Sequence, residues 1–193
     1  MNSTESVGSP AALNAPGRYR TLAAKFTDRV EAVPADAWDN QSPCSEWTVR
    51  DVVRHVVDTQ HYIVTVVGLA LPDATSPDTD PVAAWRETRD AMQAVLDDPE
   101  HAAREYDGHF GRTTLGDTIA NFYCFDLVVH GWDVAHGAGI DDTIDDADLE
   151  WIDSLRGVMG DNIRMDGVCG PEISTREGAD LQTRVLAYLG RTA

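Results

Sequence analysis

The chain has 193 residues and a mass of 21.0 kDa, so one domain is the first expectation, with two small ones possible. It is 42% hydrophobic and 25% charged, a globular balance that excludes a disordered or fibrous chain. Fifteen basic residues against 33 acidic ones give a formal charge of −18, a field that repels nucleic acid and anionic membranes.

The acids are mostly Asp (24 of 33), and Lys25 is the one lysine; this bias fits a GC-rich genome or mild salt adaptation and assigns no function. No apolar run reaches the roughly 18 residues of a membrane span, and residues 1–16 lack the basic and apolar regions of a signal peptide. Cys44, Cys124 and Cys169 are odd in number, widely spaced and without a C-x-x-C, so reduced thiols in a cytoplasmic protein are expected.

Residues 1–16 are small, polar and proline-containing and are expected to form a flexible arm, with 17–193 as a single domain. A first helix is predicted from about Arg18, with Tyr19, Leu22, Ala23, Phe26 and Val30 on its apolar face and Pro34 ending it. Residues 35–46 read as a loop. The second helix starts at Thr48, where Thr48 and Asp51 form a capping pattern and Trp47 and Val52 a hydrophobic staple; Pro72 is expected to close it. Asp80 and Pro81 open a third helix that stops at Asp97-Asp98-Pro99.

Residues 106–113 carry two glycines and read as a hairpin or an irregular loop. A fourth helix is predicted from about Thr114 to Gly137, apolar on every side and therefore central. A fifth, acidic helix is expected over 145–158, and a last one after Ser174, where Ser174 and Glu177 repeat a capping pattern. The expected fold is all-α, a bundle of about four main helices with additional short ones.

The central helix holds the chemistry. Asp126, His130 and Asp133 fall within about 60° of one another, on the face that continues Ile119, Phe122 and Tyr123. Carboxylates on a buried face need partners, and an Asp and a His at i, i+4 can reach one cation. A satisfied polar cluster without metal is the competing reading of such a D-x-x-x-H. His55, at the edge of the valine face of the second helix, could meet the pair across an antiparallel bundle. That would make three protein ligands with an open position, the pattern of a catalytic metal site.

Other candidates are weaker. His61 and His136 point about 120° away from these partners, and His101 and His109 lie in loops. Cys44 could be a low-pKa thiolate near a helix N-terminus, but a small buried filler is the more common role. Trp47 and Trp132 read as packing residues. The acids Asp141, Asp142, Asp145, Asp146 and Asp148 read as a solvated surface, with no EF-hand frame.

The segments SPCSEWTVRDVVRHVVD (42–58) and FDLVVHGWDVAHGAGID (125–141) resemble the two signatures of mycothiol-dependent maleylpyruvate isomerase-type proteins of the DinB/YfiT-like superfamily; LQTRVLAYLGR (181–191) fits its short members. The resemblance implies a DinB-like four-helix bundle with a long crossover and a divalent metal, usually zinc. Position by position, the implied ligands are His55, Asp126 and His130, with Asp126 standing where the isomerase has Glu. Asp133 is expected behind them, orienting a ligand imidazole or bound water. The resemblance further implies a metal-dependent transferase or isomerase using a thiol such as mycothiol on a small molecule, in a short form without the isomerase's additional C-terminal domain. A non-catalytic metal-binding or regulatory bundle is the alternative. Partners expected are a small-molecule substrate or thiol, with a homodimer left open.

Overall fold

A computed structural model describes residues 9–164 and 169–192. They form two compact units: residues 13–142, and the described parts of 1–12 together with 143–193. The arm expected over residues 1–16 falls mainly outside the described residues; of its remainder, Pro10–Ala12 is a 3-10 turn and Ala15 already begins a helix.

The larger unit is built on four helices: α1 (Ala15–Ala32), α2 (Val49–Thr65), α3 (Pro81–Asp97) and α6 (Cys124–Ala138). Each start has a local cause. Asn14 accepts from Gly17 N ahead of α1, the Thr48–Asp51 capping box is complete ahead of α2, and Asp80 accepts from Ala83 N with Pro81 following. α1 ends where Val33, forced out of the helical region by Pro34, turns extended. α1 and α2 each pack on both α3 and α6, which sets the cyclic order α1–α6–α2–α3. Two buried side-chain bonds tie the faces together: Tyr19 Oη to Gln60 Oε1 at 2.6 Å and Trp85 Nε1 to Thr27 Oγ1 at 2.8 Å. The all-α expectation holds, and α6 is central, with its residues buried on every side.

The crossover from α3 to α6 carries α4 (Pro99–Ala102), a hairpin of β1 (Glu105–Gly108) and β2 (Gly111–Thr114), α5 (Leu115–Thr118) and a π turn, Ile119–Tyr123. The sequence reading of one continuous helix from Thr114 is corrected here. The π turn inserts an extra residue, so angular counting from Ile119 into α6 fails. Ile119 is fully buried but Phe122 and Tyr123 are only half-buried, and Phe122 stacks on Phe110 of the hairpin at 5.3 Å. Spacing within α6 is unaffected.

α2 also ends earlier than Pro72. Its last residue is Thr65, and Gly68, at φ 72°, takes the left-handed turn that leads the chain away.

The smaller unit contains α7 (Asp146–Ser154), α8 (Arg156–Met159), a 3-10 turn over Gly160–Arg164 and α9 (Leu181–Tyr188), with α7 packed on α9. The expected fifth helix is thus split at Leu155. Asp180, not Ser174, caps α9, accepting from Thr183 N at 2.7 Å. Asp148, read from sequence as solvated, is 2% exposed among Leu149, Trp151 and Ile152. Among the described residues, no helix is long and apolar enough to cross a membrane.

Candidate metal centre

α6 delivers Asp126 and His130 one turn apart, and α2, packed beside it, delivers His55. One donor atom from each of the three lies within 4.8 Å of the others. The imidazoles of His55 and His130 meet edge to face, centroids 5.0 Å apart. His130 is buried, while His55 and Asp126 are half-buried, so the cluster has a closed floor and a more open side.

Asp133, one turn beyond His130, is completely buried. Its Oδ2 lies 2.9 Å from His130 Nδ1, and because a carboxylate only accepts, Nδ1 carries the hydrogen. Nε2 is then the nitrogen of His130 left for a cation. This is the orientation an outer carboxylate imposes on ligand histidines.

The two histidines are held in opposite protonation states. Burial, and then the nearby His130, pull His55 down to about 4, so it is neutral at pH 7. Burial also penalises the charged form of His130. Hydrogen bonds to Asp133 and Cys44, together with the carboxylates of Asp133 and Asp126, outweigh it and push His130 up to about 10. A cation entering here therefore displaces a proton from His130.

The loop before α2 closes the site. Gln41 Nε2 donates to the carbonyls of Ser42, Cys44 and Trp47, and Ser42 Oγ donates to Trp47 O at 2.8 Å. Glu46 takes the left-handed conformation at φ 67°, unusual for a residue with a Cβ. The loop can lie flat on α6 because position 137 is glycine: a Cβ there would stand 2.8 Å from Val49 Cγ2 and 3.1 Å from Ser42 Cα. Trp47 is thereby set against His55 at 4.8 Å and His130 at 6.3 Å, so it lines the site as well as packing. Cys44 reaches in too. Its Sγ lies 3.3 Å from Asp133 Oδ2, and the thiol donates to the same oxygen that accepts from His130. The filler role expected for Cys44 is corrected by this placement.

The remaining histidines lie elsewhere. His61 Nε2 bonds Thr88 Oγ1 at 3.2 Å, His136 stacks on Trp132 and meets Asp142 at 2.7 Å, His101 pairs with Asp98, and His109 packs on Phe110.

Two imidazoles and a carboxylate are the borderline nitrogen–oxygen donors that zinc and neighbouring divalent ions take, so the residues present fit such a cation. The fold and this cluster define a helical bundle with a candidate His–Asp–His centre. The chain belongs to the mycothiol maleylpyruvate isomerase N-terminal domain family, whose sequence profile matches residues 19–135 and so runs from within the first turns of α1 through most of α6. It is also similar to uncharacterized proteins from two strains of Mycobacterium tuberculosis, 26% identical over 175 residues, covering 86% of this chain and 92% of each relative. No solved structure gives a significant match.

Proposed function

We propose that the protein binds one divalent cation, zinc by donor preference, through His55, Asp126 and His130, and uses it to act on a small molecule with a mycothiol-type thiol as cosubstrate. The observation that carries this reading is the convergence of those donor atoms within 4.8 Å, with His130 already oriented by Asp133. Family membership supports the thiol.

The chain's own residues divide the work. His55, kept neutral, offers its lone pair without first losing a proton. Asp126 brings the negative charge that offsets part of the cation's own, and Asp133 holds the ring of His130 in register. Trp47 walls one side, lowering the local dielectric around the donors. Three protein donors leave coordination incomplete, as in catalytic rather than structural zinc sites. A cation bound there supplies Lewis acidity, favouring the thiolate form of a sulfur ligand or polarising a carbonyl oxygen. Transfer to, or isomerisation of, an electrophilic small molecule is the reaction class this arrangement suits.

Metal analysis of protein purified without an affinity tag tests the reading. About one equivalent of divalent metal is expected in the native protein, with loss of that metal in His55→Ala. Metal-free native protein that also fails to take up zinc would overturn it.

A further inference from the structure

We propose that Cys44, Asp133 and His130 Nδ1 form a second cation site, selective for soft, thiophilic ions such as cadmium and different in its donors from the His55–Asp126–His130 set. Two observations carry it. Donor atoms of Cys44, His130 and Asp133 also lie within 4.8 Å of one another. Within that set, sulfur and nitrogen already converge on one carboxylate oxygen, at 3.3 Å and 2.9 Å. Ligand atoms about 2.0–2.3 Å from a zinc-sized ion stand roughly 3.3–3.7 Å apart, and farther apart around the larger cadmium, so a cation could replace the two shared hydrogens once these donors draw slightly apart.

Donor softness separates the two sets. His55, Asp126 and His130 offer only nitrogen and oxygen, whereas the Cys44 set adds a sulfur. Cys124, on α6, is buried and belongs to neither set of converging donors. Cys44 is half-buried, which gives an ion a route from solvent. Binding releases the thiol proton and the Nδ1 proton to solvent as the cation takes their place. The site does not depend on the function proposed above, because it needs neither His55 nor Asp126.

The test uses the metal-free full chain in a Cys169→Ser background, titrated with cadmium chloride alone and followed by ultraviolet sulfur-to-cadmium charge-transfer absorption. One equivalent giving that absorption is expected in this parent and in His55→Ala, and its loss in Cys44→Ser. As a check that needs no change at the site, cadmium should slow iodoacetamide alkylation of Cys44 in the parent protein at least tenfold. Absorption that survives Cys44→Ser, or an alkylation rate unchanged by cadmium, would overturn the proposal. Loss of the band in His55→Ala would also overturn it, by making Cys44 a fourth ligand of the His55 centre.

Discussion

The imidazole of His130 and the carboxylate of Asp133 lie one helical turn apart on α6 and meet at 2.9 Å in the protein's interior. This bond fixes three things together: which nitrogen of His130 is protonated, which way its ring faces, and how a completely buried carboxylate is satisfied. Asp133→Asn should therefore weaken zinc binding about 10–100-fold without abolishing it. Competition against a chromophoric chelator measures this, and an unchanged affinity would contradict the orienting role.

The histidines should differ in what they do for stability. In the metal-free protein, His130→Ala removes a buried ring and strips Asp133 of its Nδ1–H donor, at an expected cost of about 3–5 kcal/mol. His55 is only half-buried and sits beside a protonated His130, so His55→Ala should cost less than about 1.5 kcal/mol. Urea unfolding with a fixed m-value distinguishes the two. Equal losses would show that the buried pair is not the stronger element.

The pH dependence of the metal-free protein follows from the opposed shifts. His130, raised to about 10, adds stability that is fully present below about 6.5 and declines as pH climbs from there towards 10. His55, lowered to about 4, adds stability present above about 6.5 and lost as pH falls towards 4. The two contributions place a maximum near pH 6.5. His55→Gln should flatten the acid limb between pH 4.5 and 6.5 and leave the alkaline limb in place; thermal melts across that range would show it.

How much of this was legible beforehand depended on whether cause and effect were local. The i, i+4 spacing of Asp126 and His130, and the capping box of Thr48 and Asp51, are short-range facts that helical geometry converts directly into contacts. His55 came to the site through bundle packing, which spacing permits and the family resemblance singles out. Cys44 lies 89 residues from Asp133, and its approach depends on a folded loop and on the missing Cβ of residue 137, neither of which leaves a pattern in the chain. The π turn left only a weak trace, in that Phe122 and Tyr123 suit a half-buried face as well as a core one. Ser174 and Glu177 show the opposite failure: a correct cap motif with no helix after it, because Asp180 caps the apolar turn that follows.

Gly137→Ala tests whether the loop is seated by α6 as the geometry indicates. Alanine suits a helix better than glycine by about 1 kcal/mol, so on propensity alone the variant should be more stable. Here the added methyl would stand 2.8 Å from Val49 Cγ2 and 3.1 Å from the backbone of Ser42, too close for either without movement. Overpacking of this kind costs about 1–3 kcal/mol, which outweighs the propensity gain. The least resistant element is the loop over 40–47, which is held to α6 partly by the bond from Asn40 Nδ2 to Gly137 O at 3.2 Å. Its displacement would draw Cys44 from Asp133 and Trp47 from His55, while Asp126 and His130 keep their places on α6. The expected outcome is a modest net destabilisation and faster alkylation of Cys44, with zinc affinity reduced far less than in His55→Ala. A Gly137→Ala protein that is more stable than the parent, with Cys44 no more reactive, would show that the loop is not held in this way.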